Sequence, residues 1–314
     1  MKEIIITSGE SGQRFDKFLG KYLHGCGRSF LYKMLRKKNI TLNGKKASGS
    51  ELLSEGDLVK LFFSDETLEK FTEGSTGAIP VYDDVDFETL IIYEDEDFIL
   101  LNKPAGILSQ KSKPNDVSLC EYLISYLYHS GRITDEDLRA FTPSVANRLD
   151  RNTSGLITAG KTLKGLQALS EALRTRKAEK FYLAAAKGRI IDSGRISGYL
   201  TKDSAGNTVS ISDYPTEGSA PIDTEFRPVS YGGGYTLVRV RLLTGKTHQI
   251  RAALAHIGHP IAGDPKYGSD AALDAARQML HSYELLLNGK TFVAPLPADF
   301  ALFLKKHGID FEQR

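Results

Sequence analysis

An α+β fold, divided between a small N-terminal body and a larger C-terminal one, is the architecture this sequence predicts, and three observations point to it. The 314 residues exceed the usual length of one domain. Helical and strand-like apolar spacings are both present and interleave along the chain. An acidic stretch separates two basic regions: residues 1–64 carry 12 Lys and Arg against 6 Asp and Glu, residues 65–98 carry 1 against 12, and the remainder carries 28 against 21. The formal net charge of +2 hides this division. Basic surface on both bodies suits a polyanion, because phosphate neutralisation depends on local charge; solvated charge is the plainer alternative.

In chain order, Phe15, Phe18, Leu19, Tyr22 and Leu23 share one helical face. A second helix spans Arg28 to Lys38, with Phe30, Leu31, Met34 and Leu35 inward and Arg28, Lys33, Arg36, Lys37 and Lys38 forming a cationic side. Strand-like alternation over Ile40–Leu42 and Asp57–Phe62, with turn chemistry at Asn43-Gly44 and Glu55-Gly56-Asp57, completes a helix-plus-hairpin module within residues 1–63. Residues 64–88 combine acid, Gly, Ser and Pro with little periodicity and read as a flexible acidic linker. Residues 89–314 form the large domain. Leu90–Tyr93 and Phe98–Leu101 predict strands around the polar turn Glu94–Asp97, Thr162–Arg174 a helix, and Phe181–Ala186 and Tyr235–Leu242 further strands, the last after a Gly232-Gly233-Gly234 turn. Gly245–Ile257 predicts a helix stopped by Gly258.

Several function classes drop out. No apolar run approaches the roughly 18 residues that cross a bilayer, and the opening MKEIIITSGE carries acid where a leader has its apolar core, so a cytoplasmic protein without a membrane partner is expected. Cys26 and Cys120 are isolated and form neither a disulfide framework nor a ligand pattern. Gly245-Lys246-Thr247 is not a phosphate-binding loop, because Val240 stands where its first Gly is required. His248, His256 and His259 lack metal-ligand spacing, and no Gly-x-Gly-x-x-Gly follows a strand, so neither metal nor cofactor is expected.

Polar residues concentrate in three otherwise apolar settings: Asn147–Gly155, Lys180-Phe181-Tyr182 and Thr244–Arg251. Asp150, flanked by Val145, Leu149, Leu156 and Ile157, reads as a carboxylate brought by a strand to an edge where Thr153-Ser154-Gly155 turns the chain. It is either a group poised for reaction or a turn cap. Arg251, near the start of its helix, offers a planar fork of donors suited to a carboxylate, or is a surface arginine. Lys161, Lys164, Arg174, Arg176, Lys177 and Lys180 surround one helix and its exit and suit phosphate contacts, or are a solvated face.

Two resemblances carried by these residues sharpen the reading. The basic helix, Ile40–Lys45 and Glu55–Val59 resemble the small alpha-L RNA-binding domain of ribosomal protein S-four over about fifty residues. Leu101–Gly106, Arg148-Leu149-Asp150 with Thr153-Ser154-Gly155, Lys180-Phe181-Tyr182, Thr244–Arg251, Gly258–Ile261 and Gly263–Gly268 resemble, in order, the motifs of the RluA family of pseudouridine synthases over about residues 90–300. That resemblance implies a catalytic domain with a central mixed, mostly antiparallel sheet flanked by helices. It implies Asp150 as the catalytic aspartate, Arg251 as its ion-pair partner and Tyr182 as the ring packed on the target base, its hydroxyl a candidate for assisting the final proton loss. It further implies Leu280 on the other side of the uracil and Arg148 facing the RNA, and Lys103 and His248 are expected in the substrate-binding set, with Arg28, Lys33, Arg36 and Lys37 on the small domain. No cofactor is implied. The partner it implies is structured RNA, large-subunit ribosomal RNA before transfer RNA, and not DNA; the protein is expected as a monomer. An RNA-binding assembly factor without catalysis is the competing reading. Three positions depart from the family pattern: Asn147 where many members have His, Lys246 where many have Arg, and Ser282 where Ala is common. The reaction this implies detaches a flipped uracil, with Asp150 expected either to attack the anomeric carbon or to remove a ribose proton.

Overall fold

The computed structural model of the chain describes residues 1–7, 9–72, 79–203, 206, 208–268 and 275–312. The small body runs β1 (Lys2–Ile5), α1 (Phe15–Tyr22), α2 (Arg28–Arg36), β2 (Ile40–Leu42), β3 (Lys45–Lys46) and β4 (Leu58–Leu61), with an antiparallel sheet in the order β1-β4-β2-β3. Phe15, Phe18, Leu19, Leu31 and Leu35 from the two helices bury against Ile40, Val59 and Leu61. Asn43 and Gly44 both take positive φ, 51° and 71°, the geometry of a tight hairpin. Asn43 also ties its turn to the next: its Nδ2 donates to Asp57 Oδ1 at 2.8 Å and its Oδ1 accepts from Leu58 N at 2.8 Å. β1 was not expected; it is a short edge strand that buries only Ile4, too little alternation to read from sequence.

The connector also differs from expectation. Asp65–Thr72 is a helix, α3, in which Leu68 and Phe71 turn one face onto the small core, Phe71 against the rings of Phe30 and Phe63. Two apolar residues suffice to dock a helix whose remaining positions are acidic or polar. Residues 73–78 of the predicted linker lie outside the described residues. At the linker's far end Tyr82 packs on Tyr122, whose hydroxyl donates to Asp84 at 2.6 Å.

In the large body a 3-10 turn (Phe87–Leu90) leads into β5 (Ile91–Glu94), β6 (Phe98–Lys103), α4 (Leu119–His129), α5 (Asp135–Ala140), β7 (Ser144–Val145), β8 (Ser154–Gly160), α6 (Leu163–Arg174), β9 (Glu179–Lys187), β10 (Gly194–Asp203), β11 (Thr208–Ser212), β12 (Ala220–Gly232), β13 (Tyr235–Leu242), α7 (Gln249–His256), β14 (Leu280–Leu287), β15 (Lys290–Val293) and α8 (Ala298–Lys306). The sheet order is β11-β10-β12-β13-β9-β14-β8-β6-β5, with β15 on β14 and β7 on β8. Among the described residues every pair is antiparallel except β8 with β14, so the sheet is mixed and mostly antiparallel. Period-two alternation splits the core: Ile99, Leu101 and Ile157 join α4, α7 and α8 in the main cluster, while Leu100 and Leu156 meet Leu169 and Ala172 of α6 in another.

The parallel seam between β8 and β14 positions the site. It has two register pairs, His281 with Ser154 and Ser282 with Gly155. Gly155 takes φ +109°, and a Cβ there would stand 2.2 Å from the Ser282 carbonyl oxygen, so glycine is required. His281 locks the seam from inside: its Nε2 lies 3.2 Å from the Ala294 carbonyl and must carry the proton, so Nδ1 accepts from Ser154 Oγ at 2.9 Å. Burial pushes His281 down to about 4. Between that value and roughly 6.5 in the unfolded chain, the native state binds fewer protons, so this stability is complete above the upper value and is lost as pH falls toward the lower. In urea titrations from pH 7 to 4.5 the wild type should lose up to roughly 3 kcal/mol more than His281→Asn; parallel losses would remove His281 as the cause.

Candidate active site

The seam brings together the loop before β8, the start of β14 and the middle of β9. Leu280 pairs with Ala184, and Ser282 with Tyr182, so Tyr182 and Leu280 project from one face of the sheet on adjacent strands. Asp150 precedes β8 in a loop without regular structure, and Ser154-Gly155 already belong to the strand, whereas the sequence had suggested a strand before Asp150 and a turn after it.

That loop is fixed through its backbone. Ser109 Oγ donates to Leu149 O at 2.8 Å and accepts from Leu149 N at 3.0 Å. Lys103 Nζ and Gly106 N both donate to Arg151 O, at 3.0 and 2.9 Å. Arg277 Nη1 donates to Asn152 O at 3.1 Å and Gln278 Nε2 to Thr153 Oγ1 at 3.3 Å. Asn147, one of the departures from the family pattern, accepts from both Thr158 N and Thr158 Oγ1 at 2.8 Å. The side chain of Asp150 is left 24% exposed on an immobilised frame.

Arg251 reaches it from the first turn of α7. Its Nε and Nη2 form a two-point bond with Asp264, each 2.7 Å, and its Nη1 donates to Asp150 Oδ2 at 2.9 Å. Asp264 is fully buried and also accepts from Lys266 N and Tyr267 N. Burial works against the guanidinium, but its two carboxylates outweigh that and raise it above its ordinary value. Among the described residues Asp150 Oδ1 accepts no hydrogen bond, so one carboxylate oxygen is anchored and the other is open. His248, in the left-handed region at φ 55°, places Nε2 3.8 Å from Asp150 Oδ2, while its Nδ1 lies 3.0 Å from Tyr267 Oη. Burial pushes His248 down, with Asp150 opposing. Tyr182 is buried; desolvation pushes its phenol up to about 12, with Ser282 opposing and the Asp150 charge adding to it.

The structure thus brings Asp150, Arg251, Tyr182, Leu280 and His248 to one locality, and leaves Arg148 exposed near it. It corrects Lys103 as a substrate contact. That side chain is fully buried and donates to the carbonyls of Pro104 and Ile107, each at 2.8 Å, as well as to Arg151, so its three donors are spent on holding the Asp150 loop. Burial lowers Lys103 to about 7 against the pull of Asp150. α7 begins at Gln249 and not at Gly245, because Gln249 Oε1 accepts from Lys246 N and Thr244 Oγ1 and folds that stretch into a turn. Around α6, Lys161, Lys164 and Arg174 are committed to Glu94, Asp97 and Glu171. Arg28, Lys33 and Arg36 on α2 and Lys37 just after it are all exposed on the small body. Sequence reasoning missed Asp264, Tyr267, Ser109 and Arg277. The first two lie in Gly263–Gly268, a run already singled out; Ser109 and Arg277 stand in no motif. Among the described residues, no three His, Cys, Asp or Glu cluster as metal ligands, and no helix is long and apolar enough to cross a membrane.

A family model described as RNA pseudouridylate synthase matches residues 97–256. The chain is 30% identical to ribosomal large subunit pseudouridine synthase D of Borreliella burgdorferi, over 91% of this chain and 88% of that one. It is 31% identical to ribosomal large subunit pseudouridine synthase C of Escherichia coli, over 85% and 80%. Among solved structures, human RNA pseudouridylate synthase domain containing 4 shares the fold, with a TM-score of 0.58 and 18% identity over 72% of this chain and 96% of that one.

Proposed function

Because this chain belongs to the RNA pseudouridylate synthase family, we propose that it converts uridines of large-subunit ribosomal RNA to pseudouridine with Asp150 as the catalytic carboxylate. The observation that carries the assignment is the half-anchored aspartate: Oδ2 held by Arg251 at 2.9 Å, Oδ1 open, and the whole loop pinned from beneath. An open oxygen on an immobile carboxylate serves either route, attack on the anomeric carbon or removal of a ribose proton, because each needs one oriented lone pair and no reorganisation.

The uracil must leave a stacked helix to reach this oxygen, at a cost of a few kcal/mol that phosphate contacts offset. Once detached it is retained between the Tyr182 ring and Leu280, turns, and rejoins the sugar through carbon. Desolvation pushes the phenol up to about 12, so at neutral pH Tyr182 presents an uncharged ring face to the uracil. Arg148 beside the site and the cationic side of α2 are read as RNA contacts, and residues 1–63 as an S-four-like RNA-binding domain. The ribosomal substrate is favoured by the coverage of relatives named for the large ribosomal subunit.

Unmodified large-subunit ribosomal RNA, transcribed with tritium at uridine carbon 5, should release tritium when mixed with the purified protein alone. Release from transfer RNA only would move the substrate, and tight binding without release from either RNA would favour the assembly-factor reading.

A further inference from the structure

Lys180 leaves β9 two residues before Tyr182, so both side chains project from the same face, about 7 Å apart along the strand. Its neighbours across the sheet are Leu242 and Leu285. Its Nζ reaches the turn between β13 and α7, where a Cβ built on Gly245 would lie 3.6 Å away. The same turn carries His248 to Asp150 and leads into Arg251. The side chain is half-buried, and among the described residues it has no ion pair and donates no hydrogen bond. Lys103 is spent on three carbonyls, Arg251 on two carboxylates, and Arg277 on Asp299 and two carbonyls. Lys180 stands apart from that pattern: burial pushes it below its ordinary value and no carboxylate opposes the push. A desolvated ammonium without an acceptor is costly until one arrives.

Position along β9 indicates which acceptor. Leu280 registers with Ala184 on one side of Tyr182, and Lys180 lies on the other, toward exposed Gly245, Lys246 and Thr247. Tyr182 therefore stands between Lys180 and the Leu280 side of the site, with the ammonium on the side of the exposed turn. Gly245 carries no side chain over it, so a polyanion can approach. We propose that Lys180 clamps the phosphodiester beside the flipped uridine, a backbone contact and not a contact to the base. The proposal deepens the reading above and rests on a nucleotide being flipped against Tyr182.

The test uses Lys180→Met in the full chain, with the unmodified large-subunit transcript. Roughly tenfold loss in kcat/KM at low salt is expected, carried by KM, with the single-turnover rate at saturating enzyme within about threefold of the parent. The plot of log kcat/KM against log salt should become shallower by roughly 0.7 to 0.9, the value of one phosphate. Lys180→Arg should restore most of the loss, and Gly245→Leu, which covers the ammonium without removing it, should reproduce it. An unchanged salt slope, or a fall in the saturated single-turnover rate at constant slope, would overturn the clamp. The same slopes measured by filter binding in an Asp150→Asn background need no turnover, so they separate failure of the clamp from failure of the proposed reaction.

Discussion

Asp150→Asn is expected to stop tritium release, lowering the rate constant by at least about 10⁴-fold, while affinity for the same RNA stays within about threefold. The amide has the size of the carboxylate and can still accept from Arg251, so the loop keeps its shape. What disappears is the charge on the open oxygen, which both routes require. The substitution leaves no unpaired buried cation behind, because Asp264 already satisfies two donors of the Arg251 fork. Thermal stability should therefore move by no more than a few degrees, and the loss of rate is readable as chemistry. Turnover near the parental rate would remove Asp150 from the mechanism, whatever the family.

How far the residues alone reveal such a site depends on whether a signal is local. Tyr235–Leu242 was legible to the residue because Val238, Val240 and Leu242 alternate with Arg239 and Arg241, although Tyr235–Val238 is buried on both faces. The Asn43-Gly44 hairpin was legible because only a few residues take positive φ cheaply. β10, β11 and β12 were not: each buries only one or two residues fully, and Gly, Ser, Thr and charge obscure the period. The start of α7 was misjudged because Gln249 bends the preceding turn with a side-chain bond that no periodicity records. In the site, Asp150, Tyr182 and Arg251 stand in runs whose composition is unusual, and the fold does bring them together. Lys103 stands in a run that only the family resemblance singles out, and it points inward; the sequence names an ammonium and not the three carbonyls that hold it. Asp264 was invisible as a partner of Arg251 because the turn after α7 makes that meeting, across thirteen residues, by geometry alone.

Asp264 is where the second large effect is expected. Asp264→Ala leaves a guanidinium that is 5% exposed with half of its fork empty, and strips the acceptor from Lys266 N and Tyr267 N. Breaking a buried pair on one side costs about 3 to 5 kcal/mol, so the urea midpoint should fall sharply. Asp264→Asn separates this loss from function. The amide oxygen can still accept from the two backbone groups, but the charge that holds Nε and Nη2 is gone. The freed fork can then close on Asp150 with two bonds, since Arg and carboxylate favour that geometry. Doing so would occupy Oδ1, the oxygen the reaction needs open. Asp264→Asn is thus expected to lower kcat by roughly 10²-fold, with KM little changed and a smaller stability loss than the alanine variant. Such a split marks Asp264 as a positioning residue, acting through Arg251 on the orientation of Asp150. An asparagine variant with parental kcat would show that Asp150 keeps its open oxygen without help, and a loss confined to KM would move Asp264 from the chemistry to RNA binding.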